Sequence, residues 1–495
     1  MQLKQPVTIH LLRTFVFLSV STLSGCAIHG PAMTVSQPAP PQWYAPIPHQ
    51  GQISGLKQWW AQLDDPLLLQ LISSAQIHSP TIAAARTRIE QARLTRTTAG
   101  AALLPSANGS VQATQSSAQP PFMPENTTYT ASAQTAWELD LFGANRASYL
   151  SAGARLRGSE AGWHEARVSV AAEVANLYYK LRACELGLAI TRSDATSRQE
   201  TARLSDLSAK AGFVAPATAA LARASAAEGL ARADQQQTSC DLDVKSLVAL
   251  TAMPEPELRS QLAQSPPRLP EGNIAISAIP AQVLAQRPDV YRAERELEAA
   301  SADVGGAQAQ RYPRLTLNGS IGATRFVAGD MSSDSTTWSI GPLSLTVPLW
   351  DAGKGRANVD AARARYDEAV INYRNTVRNA VREVEQALVN LQSTATRGQY
   401  VIDAVEGFRA SLGGTESLYQ NGLASLYDLE ESRRTRLAAE LAVVSLRQER
   451  IAAWIALYRA AGGGWDISAR DIPPLSPESK PHAALPFSAN NTHKP

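Results

Sequence analysis

Two segments set 210 residues apart, Ala211-Gly-Phe-Val-Ala215 and Asn421-Gly-Leu-Ala-Ser425, mark this chain as one unit written twice. At the same offset Glu173-Val174 falls on Glu383-Val384, Arg155 on Arg365, Arg146 on Arg356 and Arg223 on Arg433, while Asn108-Gly-Ser110 meets Asn318-Gly-Ser320. A period this long, present twice, is a duplicated subdomain rather than a short solenoid repeat. Whatever the chain folds into must therefore have an internal two-fold repeat.

Within each copy, apolar residues recur at alternating spacings of three and four, the pattern of helices packed along a narrow seam. In the first copy the seam runs Val170, Val174, Leu177, Leu181, Cys184, Leu188 and returns as Leu230, Ala233, Gln237, Cys240, Val244, Leu247. The second runs Val370, Tyr373, Val377, Ala380, Val384, Ala387, Leu391 and returns as Leu437, Leu441, Val444, Gln448, Ile451, Ile455, Tyr458. Both copies read as helical hairpins, with Gly212 and Gly422 at the reversals and Pro216 at the first position of a returning helix. No proline interrupts the stretch from Arg146 to Ala211, and about 65 residues at ~1.5 Å each predict a helix close to 100 Å long. Shorter helices, Pro66 to Leu104 and Pro280 to Gln310, enter each copy. An entering helix stacked end to end on a returning one matches the height of one long helix, which is a way to build a tube wall.

Between the entering and the long helix the period changes to two. Tyr129, Ala131, Ala133, Trp137, Leu139 and Leu141 share one face, opposite Thr130, Ser132, Gln134, Glu138 and Asp140. The neighbouring stretch 108–117 alternates more weakly. The second copy repeats the texture at 315–327 and 337–349, with Phe326, Trp338 and Trp350 near the ends and a polar, turn-rich connection at 328–336. Two hairpins with strands of about ten residues have the length that crosses an outer membrane at a tilt. Four strands cannot close a barrel, and an open edge in lipid leaves backbone groups unpaired, so closure requires further copies of the chain.

Export is written into the N-terminus: Lys4 and Arg13 precede an apolar run from Phe15, which ends in Leu23-Ser-Gly-Cys26. That is a signal peptide with a lipobox, whose cysteine thiol takes a diacylglycerol and whose freed amine can then be acylated. Ala27 after the cysteine directs the anchor to the outer membrane of a Gram-negative cell. Losing Lys4 and Arg13 brings the formal net charge of +2 to zero, so no nucleic-acid partner is expected. Cys184 and Cys240 lie at similar distances from the turn at Gly212-Phe213. They can face each other across the folded-back helices as a disulfide, or pack as two buried thiols.

Catalytic chemistry has no foothold. The seven histidines show no metal-ligand spacing, there is no Gly-x-Ser-x-Gly elbow, and Gly462 to Gly464 follows a helix end rather than opening one. No catalytic residue, no metal and no cofactor is expected beyond the acyl diglyceride on Cys26.

These residues resemble the outer-membrane factor family of Gram-negative efflux systems, in its lipoprotein branch of multidrug and NodT-like channels. The resemblance rests on Leu23-Ser-Gly-Cys26, Trp59-Trp60 with Leu63-Asp-Asp-Pro66, Arg287-Pro-Asp-Val290, Tyr312-Pro313, Pro348-Leu-Trp-Asp-Ala-Gly353, Gly422-Leu-Ala-Ser-Leu-Tyr-Asp-Leu429 and Gly462-Gly-Gly-Trp465. It implies an α+β membrane protein, a homotrimer whose twelve-stranded barrel continues as a long periplasmic helical tunnel. The implied partners are a periplasmic adaptor and an inner-membrane pump, and the implied activity is passive export without hydrolysis. It further implies adaptor-contact tips at Gly212, Phe213 and Val214 and at Gly422, Leu423 and Ala424. A periplasmic gate is implied at Tyr419, Asp428 and Glu431, where Glu430 can play the same part as its neighbour. The alternative for those acidic residues is an ordinary solvated helix surface partnered by Arg433 or Arg434.

The expected organisation is a signal peptide at 1–25, a lipid-anchored segment at 26–65, a first repeat at 66–250 with its hairpin at 105–142, and a linker at 251–279. A second repeat follows at 280–461 with its hairpin at 313–350, then a tail at 462–495. Two rival functions share parts of this pattern: the duct of a type I protein-secretion system, and a non-conducting coiled-coil lipoprotein that tethers envelope layers.

Overall fold

The computed structural model describes residues 28, 30–31, 44–45, 56–117, 125–270, 284 and 287–465. Cys26, the signal peptide and the tail beyond Trp465 lie outside the described residues.

A 3-10 turn, Leu56–Leu63, leads into α1 (Pro66–His78) and α2 (Pro80–Ala101). The sequence pattern suggests one entering helix here; the chain makes two. Ser79 is extended and Pro80 opens α2, so the helix cannot run through, and the Ser79 hydroxyl instead caps the Ile82 amide. Strands β1 (Ser106–Ser116) and β2 (Asn126–Leu139) follow, then the long α3 (Ala144–Lys210) and the returning α4 (Pro216–Thr251). The expected linker holds a helix of its own, α5 (Glu255–Gln264). The second copy comprises α6 (Pro288–Ala309), β3 (Arg314–Ala328), β4 (Met331–Thr346), α7 (Lys354–Gln420) and α8 (Leu426–Ala460). Both long helices have 67 residues, about 100 Å of rise.

The four strands form one antiparallel sheet in the order β1-β2-β3-β4, so the two hairpins join through β2 and β3. Residues 331–336, expected as connection, are strand, and Gly329 with positive φ makes the tight turn before them. Trp338 consequently lies mid-strand opposite Ile321, not at an end. Gly341-Pro342 sits beside a register shift opposite Leu317 and Gly319, on an edge strand where a missing amide is tolerated.

Each hairpin hands over to its long helix by the same device. Gly143 and Gly353 take left-handed backbone at the helix start and offer no side chain to cap it. The Asp140 carboxylate accepts the Asn145 and Arg146 amides at 3.1 and 2.7 Å, and the Asp351 carboxylate accepts those of Gly353 and Gly355 at 2.9 and 2.7 Å. An anion on the first free amides of a helix is favourable in both charge and hydrogen bonding.

Packing follows the seam in α7, where Val377, Ala380, Val384, Ala387 and Leu391 are buried. In α4 it departs from the sequence pattern: Leu230 is exposed, and the buried stripe runs through Ala219, Ala222, Ala226, Gly229 and Ala233. A side chain at Gly229 would press on Arg198 Cδ at 3.0 Å and Ala195 Cα at 3.3 Å, so close approach of α3 and α4 selects small residues there. α3 packs on α4 and α2 of its own copy and on α6 and α8 of the other. The central core gathers on one side of this wall, where Trp59 and Trp60 lie 5.4 and 4.7 Å from the Tyr458 ring.

At the reversals Gly212 and Gly422 have φ of +81° and +74°, and no heavy atom lies within 4 Å of the point a Cβ would occupy. The Phe213 amide bonds Ser208 O at 2.9 Å and the Leu423 amide bonds Leu418 O at 2.8 Å, the six-to-one closure of a helix end. Gly422→Ala should therefore cost about 1 kcal/mol from backbone strain alone. Amide exchange at residues 418–424 should quicken several-fold; unchanged exchange would show that the turn tolerates a Cβ.

Candidate functional site

The sheet has two chemically distinct faces. Cross-strand rows on one face read Val111-Ala131-Ala323-Thr336, Gly109-Ala133-Ile321-Trp338 and Trp137-Leu317-Leu343, closing with Leu139-Leu315-Leu345. Ile321, Trp338, Ile340, Leu343 and Leu345 on this face are exposed. The opposite face carries Gln112-Thr130-Thr324-Ser335, Ser110-Ser132-Gly322-Thr337 and Asn108-Gln134-Ser320-Ser339. Here Ser110 pairs with Ser132 at 3.0 Å and Ser320 with Ser339 at 2.8 Å. An apolar exposed face backed by a hydroxyl-lined one suits lipid on one side and water on the other. β1 and β4 each have one unpaired edge, and no helix among the described residues is long and apolar enough to span a membrane.

At the far end of the long helices, Phe213 and Leu423 project from the two turns, 85 and 76 % exposed. Tyr419 packs against a small apolar cluster of Ala202, Ala222, Ala226, Leu412, Leu426 and Leu429. Asp428 has a defined local task. Its carboxylate accepts from the Ser425 amide and hydroxyl while the Ser425 hydroxyl takes the Asp428 amide, a reciprocal cap on α8. These bonds hold its carboxyl below the usual carboxylate range, so it stays ionised and the cap weakens only as pH falls through that depressed value. Glu431 pairs with Arg434 on its own helix. The structure thus gives Tyr419, Asp428 and Glu431 three separate local environments.

The charges that it does bring together are others. Arg198 donates to Asp194 at 2.7 Å, to the Ser225 hydroxyl at 2.7 Å, and to Glu430. Arg433 donates to Glu430 at 3.1 Å and to the Thr201 hydroxyl at 2.9 Å. Arg436 donates to Glu440 at 2.9 Å and reaches Asp194 at 3.4 Å. Arg409 also donates to Glu440 at 2.8 Å and Glu416 lies 3.8 Å from Arg433, so four guanidinium groups meet four carboxylates, and Asp194, Arg198, Arg433 and Glu440 are at most 8 % exposed. The network ties α3 and α4 of the first copy to α8 of the second. The sequence offers Glu430 as a gate residue or a solvated one, yet a signal for burial exists: continuing the three-four spacing from Leu188 and back from Leu437 puts Arg198 and Glu430 at positions that call for apolar residues.

Cys184 and Cys240 form a disulfide across α3 and α4 with Cα atoms 5.6 Å apart. Arg287, from Arg287-Pro-Asp-Val290, joins α6 to the end of α8. It donates to Asp289, to Glu383 at 2.8 Å and to the Ala460 carbonyl at 2.8 Å. Described residues ahead of the first helix touch three parts of the fold. The Ile28 amide bonds Phe142 O at 3.2 Å, Ser301 donates to Pro31 O at 2.7 Å, and the Tyr44 and Ala45 amides both meet the Glu385 carboxylate at 2.7 Å. Among the described residues no group of three or more His, Cys, Asp or Glu could hold a metal ion.

The profile of the outer membrane efflux protein family matches residues 71–252 and 279–463. The pyoverdine export outer membrane protein OpmQ of Pseudomonas aeruginosa is 28 % identical over 469 residues, covering 90 % of this chain and 97 % of its own. Among solved structures, the outer-membrane channel OprN is 29 % identical, covers 89 % of this chain and 97 % of its own, and superposes with a TM-score of 0.76. VceC of Vibrio cholerae is 27 % identical, covers 83 and 99 %, and has a TM-score of 0.73.

Proposed function

Because this chain belongs to the outer membrane efflux protein family, we propose that three copies close one twelve-stranded barrel whose tunnel is the passive exit duct of a tripartite pump. The chain is an outer-membrane efflux channel component, and the proposal concerns its assembly, anchor, partners and cargo. The carrying observation is the four-stranded sheet, apolar on one exposed face and hydroxyl-lined on the other, with two open edges. In lipid each unpaired backbone group costs several kcal/mol, and β1 of one copy meeting β4 of the next removes that cost without any residue changing face.

The partners in this reading are a periplasmic adaptor seated on the exposed turns at Gly212-Phe213-Val214 and Gly422-Leu423-Ala424, and an inner-membrane pump supplying the energy. Three copies of Asp428 and Glu431 with Tyr419 beside them would form a charged constriction there. Small molecules are the cargo class; OpmQ is named for pyoverdine export, and the selection among cargoes is left to the pump. Lipidation of Cys26 fits the position of Ile28, which is bonded to Phe142 where the strands end and α3 begins, the level of the inner leaflet.

The purified protein should run as an SDS-resistant trimer on a gel and give discrete single-channel steps in planar bilayers. A monomer without conductance would defeat the duct reading. Cys26→Ser should abolish incorporation of labelled fatty acid, and persistent labelling would place the anchor elsewhere.

A further inference from the structure

Midway along the helical tunnel, three helices present opposite faces to two different environments. On one side Tyr178 donates to Asp65 and Arg182 to Leu262 O, Glu385 holds the N-terminal segment, and Trp454 and Tyr458 pack on Trp59. That side is covered by the 3-10 turn, α1 and α5, a module too bulky to fit inside a conducting duct. At about 100° per residue, Glu173, Asn176 and Lys180 lie across α3 from Tyr178. On the same argument Glu383 and Asn390 lie across α7 from Glu385, and Ala452, Ala456 and Arg459 across α8 from Trp454. These stripes face the lumen. They line a recess of about 780 Å³, within the range of about 300–1,000 Å³ typical of small-molecule sites.

The recess exists because small residues oppose one another: Ala172 on α3, Ala387 on α7, and Ala452 and Ala456 on α8. Its wall carries Leu177, Ile451 and Ile455. Two of its charged side chains are already engaged, Lys180 with Asp243 at 2.7 Å and Glu383 with Arg287 at 2.8 Å. Glu173 and Arg459 make no ion pair or side-chain hydrogen bond among the described residues. Tyr179, 1 % exposed, backs the recess, while its hydroxyl sits among Asp65, Tyr178 and Arg268 on the covered side. Burial pushes that hydroxyl's pKa up, so it remains a donor at any physiological pH.

We infer that this luminal recess is a way-station that binds small amphipathic zwitterions, the Leu177, Ile451 and Ile455 side chains taking the apolar body, Glu173 the cationic group and Arg459 the carboxylate. Arg459 is suited to planar bidentate contact with a carboxylate. The inference rests on the duct reading, which places cargo in the lumen. A wall with one free charge of each sign retains molecules bearing both and passes those bearing one more readily.

Nε-dansyl-lysine, which joins an aromatic body to an ammonium and a carboxylate, tests this with the purified full-length protein. Its fluorescence should show a saturable blue shift. Dansylcadaverine, with only the cation, and dansylglycine, with only the anion, should bind at least tenfold more weakly. Glu173→Gln and Arg459→Gln should each weaken dansyl-lysine at least tenfold, and Ala456→Trp, on an exposed stripe, should abolish binding by filling the space. Non-saturable partition, equal binding of all three probes, or affinity unchanged in the near-isosteric Glu173→Gln protein would overturn the inference. Single-channel conductance of the same preparations separates the two ideas: conducting protein that fails to bind the probe sinks the recess alone, whereas protein that never conducts sinks the duct.

Discussion

Glu430→Ala is expected to speed amide exchange over residues 426–440 about a hundredfold. Glu430 is the anion shared by Arg198 and Arg433, both at most 5 % exposed. Removing one partner from a buried ionic group costs about 3–5 kcal/mol, because the cations remain desolvated without their countercharge. Exchange from locally opened states reports that loss directly, and about 3 kcal/mol corresponds to more than a hundredfold. The apolar cluster at this level is small, with alanine at three of its six buried positions, so hydrophobic packing cannot compensate. Arg198→Met combined with Glu430→Leu keeps the buried charge balanced and should lose far less than Glu430→Ala. Equal exchange in all three proteins would mean that α8 is held here by something other than the ion network.

The second large effect concerns Cys184 and Cys240. Their bond closes a loop with a sequence separation of 56, for which chain entropy predicts roughly 4 kcal/mol as an upper figure. Replacing both by serine should lower the denaturation midpoint of the α3–α4 pair, and a reductant should lower the parent protein to the same value while leaving the double variant unmoved. Coincident midpoints with and without reductant would show that the bridge adds nothing to packing. A linked tryptic peptide pair seen without reductant, and split with it, verifies the bond itself.

How far the chain can be read without its structure follows from the range of each signal. Lipobox, period-two strands and three-four seams are local patterns, and the last two yield the right element types for α3, α4, α7, α8 and the strands. Boundaries slip where a single residue overrides a pattern, as Pro80 does between α1 and α2 and as Gly329 does in drawing 331–336 into β4. The α4 seam misleads at Leu230 because a leucine fits an apolar stripe in sequence, while the closeness of α3 admits only alanine and glycine. For the cysteines the sequence leaves two states open, and the facing register of α3 and α4 brings the sulfurs together.

Sequence alone therefore determined that the chain is duplicated, that its helices are very long, that it has too few strands to close a barrel, and that it is exported. The duplication is fixed by likeness at one constant offset, and the others by local periodicity or a short motif. The tertiary structure alone decided that β2 pairs with β3 across the two copies and that Arg198, Glu430 and Arg433 meet as a buried network. Those outcomes join residues up to 232 positions apart. No local pattern specifies such partners, because a charge on a helix has the same sequence signature whether its face ends in water or against another helix.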